Sequence, residues 1–375
     1  MKNIFRKSSL LAPALIGISL AGSAQQTEKI DIVTTAVPFL RISPDARSGA
    51  MGETGIVTSP DANAQFYNVA KYPFTTDKSG IGMTYTPWLR KLGLKDVYLA
   101  SVAGYYKIDD DQAFSGSLRY FSLGNLQLTD YNGNDLSTAN PREVSVDAGY
   151  SRKLSNHLSL GIALRYIHSN LGGEGTNGNT DYKAGNAFAA DLGMYYTTVT
   201  ESKGGWNFGA VLSNLGTKIS YSSNADQKNF LPANVGIGAG YTWISNDVHK
   251  LSLNGEVNKL LVPVLSSDAS EEDYRRYNDK GIVSSYMSSF DNKAMAYSIG
   301  GEYVYDDLLA IRAGYYTDSR NMGKRNYITT GIGLNYSFLA INFSYLVPSG
   351  KGVGVNPLGN TIRFGLLINL SRDKK

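Results

Sequence analysis

Cysteine is absent from the 375-residue chain, and histidine occurs three times. Without cysteine there is no disulfide, no thiol nucleophile and no cysteine-based metal site. Long apolar runs are missing too. The stretch Leu10 to Leu20 has eleven residues, whereas a membrane-spanning helix needs about 20. The net charge of +4 is small and scattered, which gives nucleic acid nothing to bind. Gly172-Gly173-Glu174-Gly175 opens no helix after a βα unit, so it is not a phosphate cradle. The acidic run around Asp268, Glu271, Glu272 and Asp273 lacks the spaced ligands and glycine of a calcium loop. No cofactor or metal is expected.

What is present begins with a leader. Lys2, Arg6 and Lys7 precede the apolar stretch, and Gly22-Ser23-Ala24 follows it with small residues. That order is a secretory signal, with cleavage expected after Ala24 and Gln25 as the new N-terminus. The rest is rich in tyrosine (26) and glycine (40), and its mean hydropathy of −0.22 is near neutral. A strand that shows lipid with every second residue has that signature, with tyrosine collecting at the interfaces.

Period-two alternation recurs along the chain. Val235, Ile237, Ala239, Tyr241 and Trp243 alternate with Asn234, Gly236, Gly238, Gly240 and Thr242. The last segment sets Ile362, Phe364, Leu366, Ile368 and Leu370 against Thr361, Arg363, Gly365, Leu367 and Asn369, with Leu367 the exception. Segments of this kind are expected near 79–90, 97–107, 112–122, 142–153, 157–168, 186–199, 204–214, 232–244, 248–258, 294–305, 308–317, 327–337, 339–347 and 360–371. Connections after even-numbered segments are short and those after odd-numbered ones mostly long, the longest being 259–293. Bacterial barrels have short periplasmic turns and long extracellular loops. The expectation is an all-β fold: a fourteen-stranded antiparallel transmembrane β-barrel over 79–375, preceded by a hatch or plug over 25–78 and a signal peptide over 1–24. Both termini are expected on the periplasmic side of a Gram-negative outer membrane. A soluble β-sandwich would also alternate, but nothing would make every second connection short.

Charge follows the same division. Arg119, Glu143, Asp147, Arg165, Asp191, Glu256, Glu302, Arg312 and Arg363 all fall in the set opposite the apolar one. They are expected to face the lumen, because an arginine facing lipid at the midplane costs roughly 2–4 kcal/mol.

Residues 25–78 break the strand rhythm. Arg41 to Glu53 reads RISPDARSGAMGE, followed by GIVTSPDANAQFYNVAKY. This stretch resembles the N-terminal region of the PorV (LptO) family, outer-membrane components of the type IX secretion system of the Bacteroidetes. Those belong to a wider FadL-like group of fourteen-stranded barrels with an N-terminal hatch. The hatch positions singled out are Asp45, Arg47, Gly49, Met51, Gly52 and Asn68. The group's Asn-Pro-Ala element reads Asn68-Val69-Ala70 here, without the proline. The resemblance implies a non-enzymatic shuttle and surface anchor. Its implied partners are the type IX translocon barrel, the C-terminal signal domains of cargo proteins, a sortase-like attachment-complex protease, and outer-membrane lipid with lipopolysaccharide.

Two other readings remain open. A FadL-like transporter of long-chain fatty acids or other hydrophobic molecules would need an apolar upper lumen and a lateral gap in the wall. A lipopolysaccharide hydrolase would need a nucleophile and a base. His168 and Ser169 are adjacent, but neighbours on a strand point to opposite faces. His157 and His249 flank short turns as solvated residues. Leu260, Leu261, Val262, Val264 and Leu265 open the longest loop and are expected to form an exposed partner-docking surface.

Overall fold

A computed structural model of the chain describes residues 32–89, 96–129, 132–172, 175–177, 180–223, 228–266, 268–349 and 359–370. The leader and its expected cleavage between Ala24 and Gln25 lie outside the described residues. Fourteen strands form the wall: β1 (Ser79–Pro87), β2 (Val97–Lys107), β3 (Gln112–Leu123), β4 (Arg142–Lys153), β5 (Leu158–Asn170), β6 (Gly185–Thr197) and β7 (Gly205–Gly216). They continue with β8 (Asn234–Ser245), β9 (His249–Leu260), β10 (Met295–Tyr305), β11 (Leu309–Asp318), β12 (Asn326–Tyr336), β13 (Leu339–Pro348) and β14 (Ile362–Leu370). Every strand pairs antiparallel with its sequence neighbours, and β14 closes on β1 from Ser79↔Leu370 to Tyr85↔Phe364. No described helix is long and apolar enough to cross a membrane; the strands do the crossing.

The alternation determines which face is which. On β8, Ile237 and Trp243 are exposed outward, whereas Gly236, Gly240 and Thr242 are buried inward. The exception on β14 has a cause. Leu367 faces in and packs with Ala62, Ala64, Val69 and Tyr72 of the N-terminal segment. Tight turns join the strands at one end. Asn246-Asp247 and Asp306-Asp307 have φ near 53°, 55°, 51° and 51°, the left-handed central pair of turns closed by the Val248 and Leu308 N–H groups on the Ser245 and Tyr305 carbonyls, which Asn and Asp tolerate.

The opposite end carries the long connections, and these are more ordered than their composition suggests. Leu126–Thr129 pairs with Asp135–Ala139, and Gly175–Asn177 with Thr180–Tyr182. Between β9 and β10 the expected loop folds into two helices, Glu271–Asp279 and Ile282–Ser288. The first starts with a capping box: the Asp273 N–H donates to Ser270 Oγ at 3.2 Å, and the Ser270 N–H donates to Asp273 Oδ2 at 3.0 Å. Hydrogen bonds from Ser270 hold the Asp273 carboxyl below its usual range.

The N-terminal segment threads the lumen from end to end. The Val33 N–H bonds to the Asn321 carbonyl in the β11–β12 connection, and the Ala36 N–H to Phe230 in the β7–β8 connection. Phe39 and Leu40 pack with Val97, Leu99, Phe121 and Ile167 at the long-loop ends of their strands. A short helix, α1 (Ala46–Gly49), lies at mid-height; 3-10 turns at Ala62–Phe66 and Val69–Phe74 lead down to the short-turn end, where β1 begins. This corrects the expectation that the segment starts at the short-turn mouth. β1 must begin at the short-turn end, and the segment is long enough to run the height of the wall. Its first described residue, Ile32, therefore lies at the long-loop mouth, while Leu370 lies at the other.

The orientation is testable because the chain has no cysteine of its own. Single cysteines at Tyr274 and Ile32 are expected to react with a membrane-impermeant maleimide on intact cells, and one at Asn246 only after permeabilisation. The reverse pattern would invert the barrel.

Candidate functional site: a plug seated on the wall

The plug meets the wall first through α1. Asp45 caps it, accepting from the Arg47 N–H at 2.5 Å and from the Ser48 N–H at 3.2 Å. That cap fixes the direction of Arg47, whose guanidinium has five donors. Nε and Nη2 fork onto Glu302 of β10 at 2.9 and 2.6 Å. Nη1 reaches the Ser59 carbonyl at 3.0 Å and Asp61 at 2.8 Å, and Nη2 also reaches Ser59 Oγ at 2.5 Å. Every donor is therefore used. Glu302 also accepts from Arg312 Nε at 2.6 Å, and Arg312 continues to Asn342 at 2.8 Å. Arg47, Glu302 and Arg312 are all buried.

Just after α1 the plug backbone lies directly on the wall. Gly52 has φ of +65°, and its N–H donates to Thr329 Oγ1 at 2.7 Å. A Cβ on Gly52 would sit 2.5 Å from the Tyr315 carbonyl. From the other side, a Cβ on Gly314 would sit 2.1 Å from the Gly52 nitrogen, and one on Gly331 2.5 Å from Ala50 Cβ. Gly49 is pressed against the Arg363 side chain, and Met51 is fully buried against Gly300.

Three more wall contacts hold the rest of the plug. Glu256 of β9 accepts three consecutive plug N–H groups, from Gly55 at 2.8 Å, Ile56 at 2.7 Å and Val57 at 3.3 Å. Arg363 of β14 donates to the Ser43 carbonyl and to Glu53, each at 3.2 Å. Asn68 caps the last 3-10 turn by accepting from the Ala70 N–H, and its amide donates to Ile56 and to the wall at Met194, 2.9 Å away. The missing proline changes nothing in this cap, because the asparagine side chain makes it.

The remaining lumen charges form a second network within the wall. Arg165 pairs with Asp147 at 2.7 Å and Asp191 at 2.8 Å, and it donates to Asn214. A bulge at Asp191 in the β6–β7 pairing shifts the register there. Arg119 lies 3.7 Å from Asp147 and over the Phe66 ring. These charges face the lumen, as their parity predicts, and there they pair with one another and with the plug. Between the plug and the inner wall lies a cavity of about 150 Å³ lined by Arg41, Glu53, Arg119, Asn214, Glu256 and Asn258 among others.

One expectation fails on geometry and one is met. Leu260, Leu261 and Val262 are 1 %, 5 % and 0 % exposed, and Val264 and Leu265 are half-buried, so they are not a docking surface. β9 runs on to Leu260, and the chain then turns inward to pack with Val33, Tyr316 and Tyr327. Exposed apolar side chains in this connection sit later, at Tyr274, Val283, Met287 and Phe290. The Ser270-x-x-Asp273 cap was the available signal for that helix. His168 and Ser169 are split by the wall. His168 bonds outward to Asn186 at 2.9 Å, whereas the buried Ser169 donates to Glu143 at 2.7 Å and accepts from Tyr221 at 3.0 Å.

The family profile described as Type IX secretion system protein PorV matches residues 24–267. The chain belongs to the PorV family. That match spans the plug and the first nine strands. It makes this an outer-membrane barrel of type IX secretion. No protein of curated function matches the sequence. Solved structures show the same fold at low identity. The Pseudomonas putida toluene transporter TodX is 15 % identical, with TM-score 0.51, covering 86 % of this chain and 95 % of its own. The monoaromatic hydrocarbon channel CymD is 11 % identical, with TM-score 0.52, covering 87 % and 97 %. The Ralstonia pickettii toluene transporter TbuX is 12 % identical, with TM-score 0.50, covering 86 % and 95 %. These establish that this PorV-family barrel shares its architecture with FadL-like channels.

Glu302→Ala is expected to destabilise the barrel by about 3–5 kcal/mol, because Arg47 and Arg312 lose a shared buried counter-charge. Thermal melting in detergent measures this. Gly314→Ala pushes into the Gly52 backbone and is expected to cost about 1–3 kcal/mol. It should also make the plug sensitive to protease. Gly255→Ala, whose Cβ would meet nothing within 4 Å, is the control and should stay within about 0.5 kcal/mol of the parent.

Proposed function

We propose that this barrel is a non-enzymatic shuttle and anchor. It receives the C-terminal signal domains of exported cargo from the type IX translocon barrel. It also tethers the sortase-like protease of the attachment complex at the surface of a Bacteroidetes-type cell. The observation that carries this reading, beside the family, is the filled lumen. The plug runs from mouth to mouth and is bonded to Glu302, Glu256 and Arg363 at three places. A folded protein domain has no path through such a barrel, so cargo is handled at its surface.

The transporter reading finds less support. The β2–β3 ladder runs from Val97↔Leu123 to Lys107↔Ala113 and the β3–β4 ladder from Gln112↔Arg152 to Ser122↔Arg142, both without a register shift. The bulge at Asp191 is the one register shift among the described wall ladders, and the β6–β7 pairing continues on both sides of it, so no ladder is broken by a lateral gap. The cavity is lined by charges and amides as much as by apolar side chains. A greasy ligand would leave those groups without partners.

Deleting the gene and fractionating the cells tests the proposal. Proteins bearing type IX C-terminal signals are expected to accumulate in the periplasm with the signal uncleaved. Normal surface delivery of cargo together with reduced fatty-acid uptake would favour the transporter reading.

A further inference from the structure

We propose that the cavity between plug and wall is a binding site for a short monocarboxylate about the size of butyrate. The proposal stands apart from the secretion role and depends on charge accounting inside the cavity. Four ionic side chains line it: Arg41, Glu53, Arg119 and Glu256. The two carboxylates are already engaged. Glu256 accepts the three plug N–H groups, and Glu53 is bonded to Arg363 at 3.2 Å.

The two guanidiniums have capacity left. Arg119 is 2 % exposed; one Nη donates to the Leu40 carbonyl at 3.3 Å and the other lies 3.7 Å from Asp147. Its Nε is buried without a hydrogen-bond partner. Arg41, at the end of a 3-10 turn over Pro38–Arg41, has no ion pair or side-chain hydrogen bond among the described residues. The nearby acid, Asp318, is taken by Arg325 at 2.7 Å. A buried guanidinium donor without an acceptor is costly. An anionic guest supplies the acceptor that the protein does not.

The size and charge of the site narrow the guest. A cavity of about 150 Å³ is the size that admits a benzene-sized molecule of about six heavy atoms. A planar carboxylate fits a guanidinium fork with two parallel hydrogen bonds. Leu40, Ile42, Val211 and Leu260 give a short alkyl tail apolar contact. Glu53 and Glu256 in the same lining oppose a doubly charged anion such as phosphate, and a long chain would have to extend beyond the cavity.

Isothermal titration of the purified full chain in detergent tests the site, with sodium butyrate, inorganic phosphate and sodium laurate as probes. Saturable one-to-one binding of butyrate is expected, with phosphate and laurate weaker. R41Q is expected to lose at least tenfold in affinity with an unchanged melting temperature, since Arg41 anchors nothing in the wall. R41K keeps the charge but not the fork and should lose less than R41Q. The proposal is overturned if butyrate shows no saturable binding, if R41Q binds as well as the parent, or if phosphate or laurate binds more tightly than butyrate.

Discussion

Arg47 spends all five of its donors at one point in the middle of the lumen, and the position of the plug depends on that point. Its acceptors come from both sides: Ser59 and Asp61 from the plug, Glu302 from the wall. An ion pair this deep contributes little net stability, because desolvation offsets most of the attraction. What it fixes is position. Any shift of the plug that separates Arg47 from Glu302 costs each a buried partner and leaves the forked Nε and Nη2 donors without an acceptor. Asp45, capping α1, and Arg312, sharing Glu302, extend the same constraint to the helix and to β11.

Around that anchor the inner wall is cut to the shape of the plug. Gly314 lacks a side chain because the backbone at Met51–Gly52 occupies the space, and at Gly331 a side chain would meet the Phe343 carbonyl and the Ala50 methyl. Leu367 breaks the small-residue rule on β14 because the plug presents Ala62, Ala64 and Tyr72 there, and an apolar partner suits them. Close packing and satisfied hydrogen bonds therefore do the same work at different heights. The lumen of this barrel is packed by its own plug over most of its height.

Much of the fold was legible because a barrel wall repeats one simple rule. Alternation located all fourteen strands, and the short Asn-Asp and Asp-Asp turns marked one end. Inward charges such as Arg165 and Glu302 could be assigned by parity alone. Their partners could not, since Arg47 and Glu302 are 255 positions apart and no local pattern joins them. The direction of the plug was also hidden. Its sequence gives compactness, and only contacts such as Val33 with Asn321 show that it begins at the long-loop mouth. Leu260 to Val262 read as exposed because an apolar run after a strand looks the same whether it turns outward or inward. The helix at Glu271 was announced by its capping box, but the charged sequence around it looked like an ordinary solvated loop.

Plug and wall form one structural unit. Hydrogen exchange read by mass spectrometry on the folded barrel in outer-membrane vesicles tests it most directly. Amides of residues 45–74 should exchange as slowly as those of β10 to β12. If they exchange as fast as the exposed helix at Glu271–Asp279, the plug opens, and the account of a closed lumen is wrong.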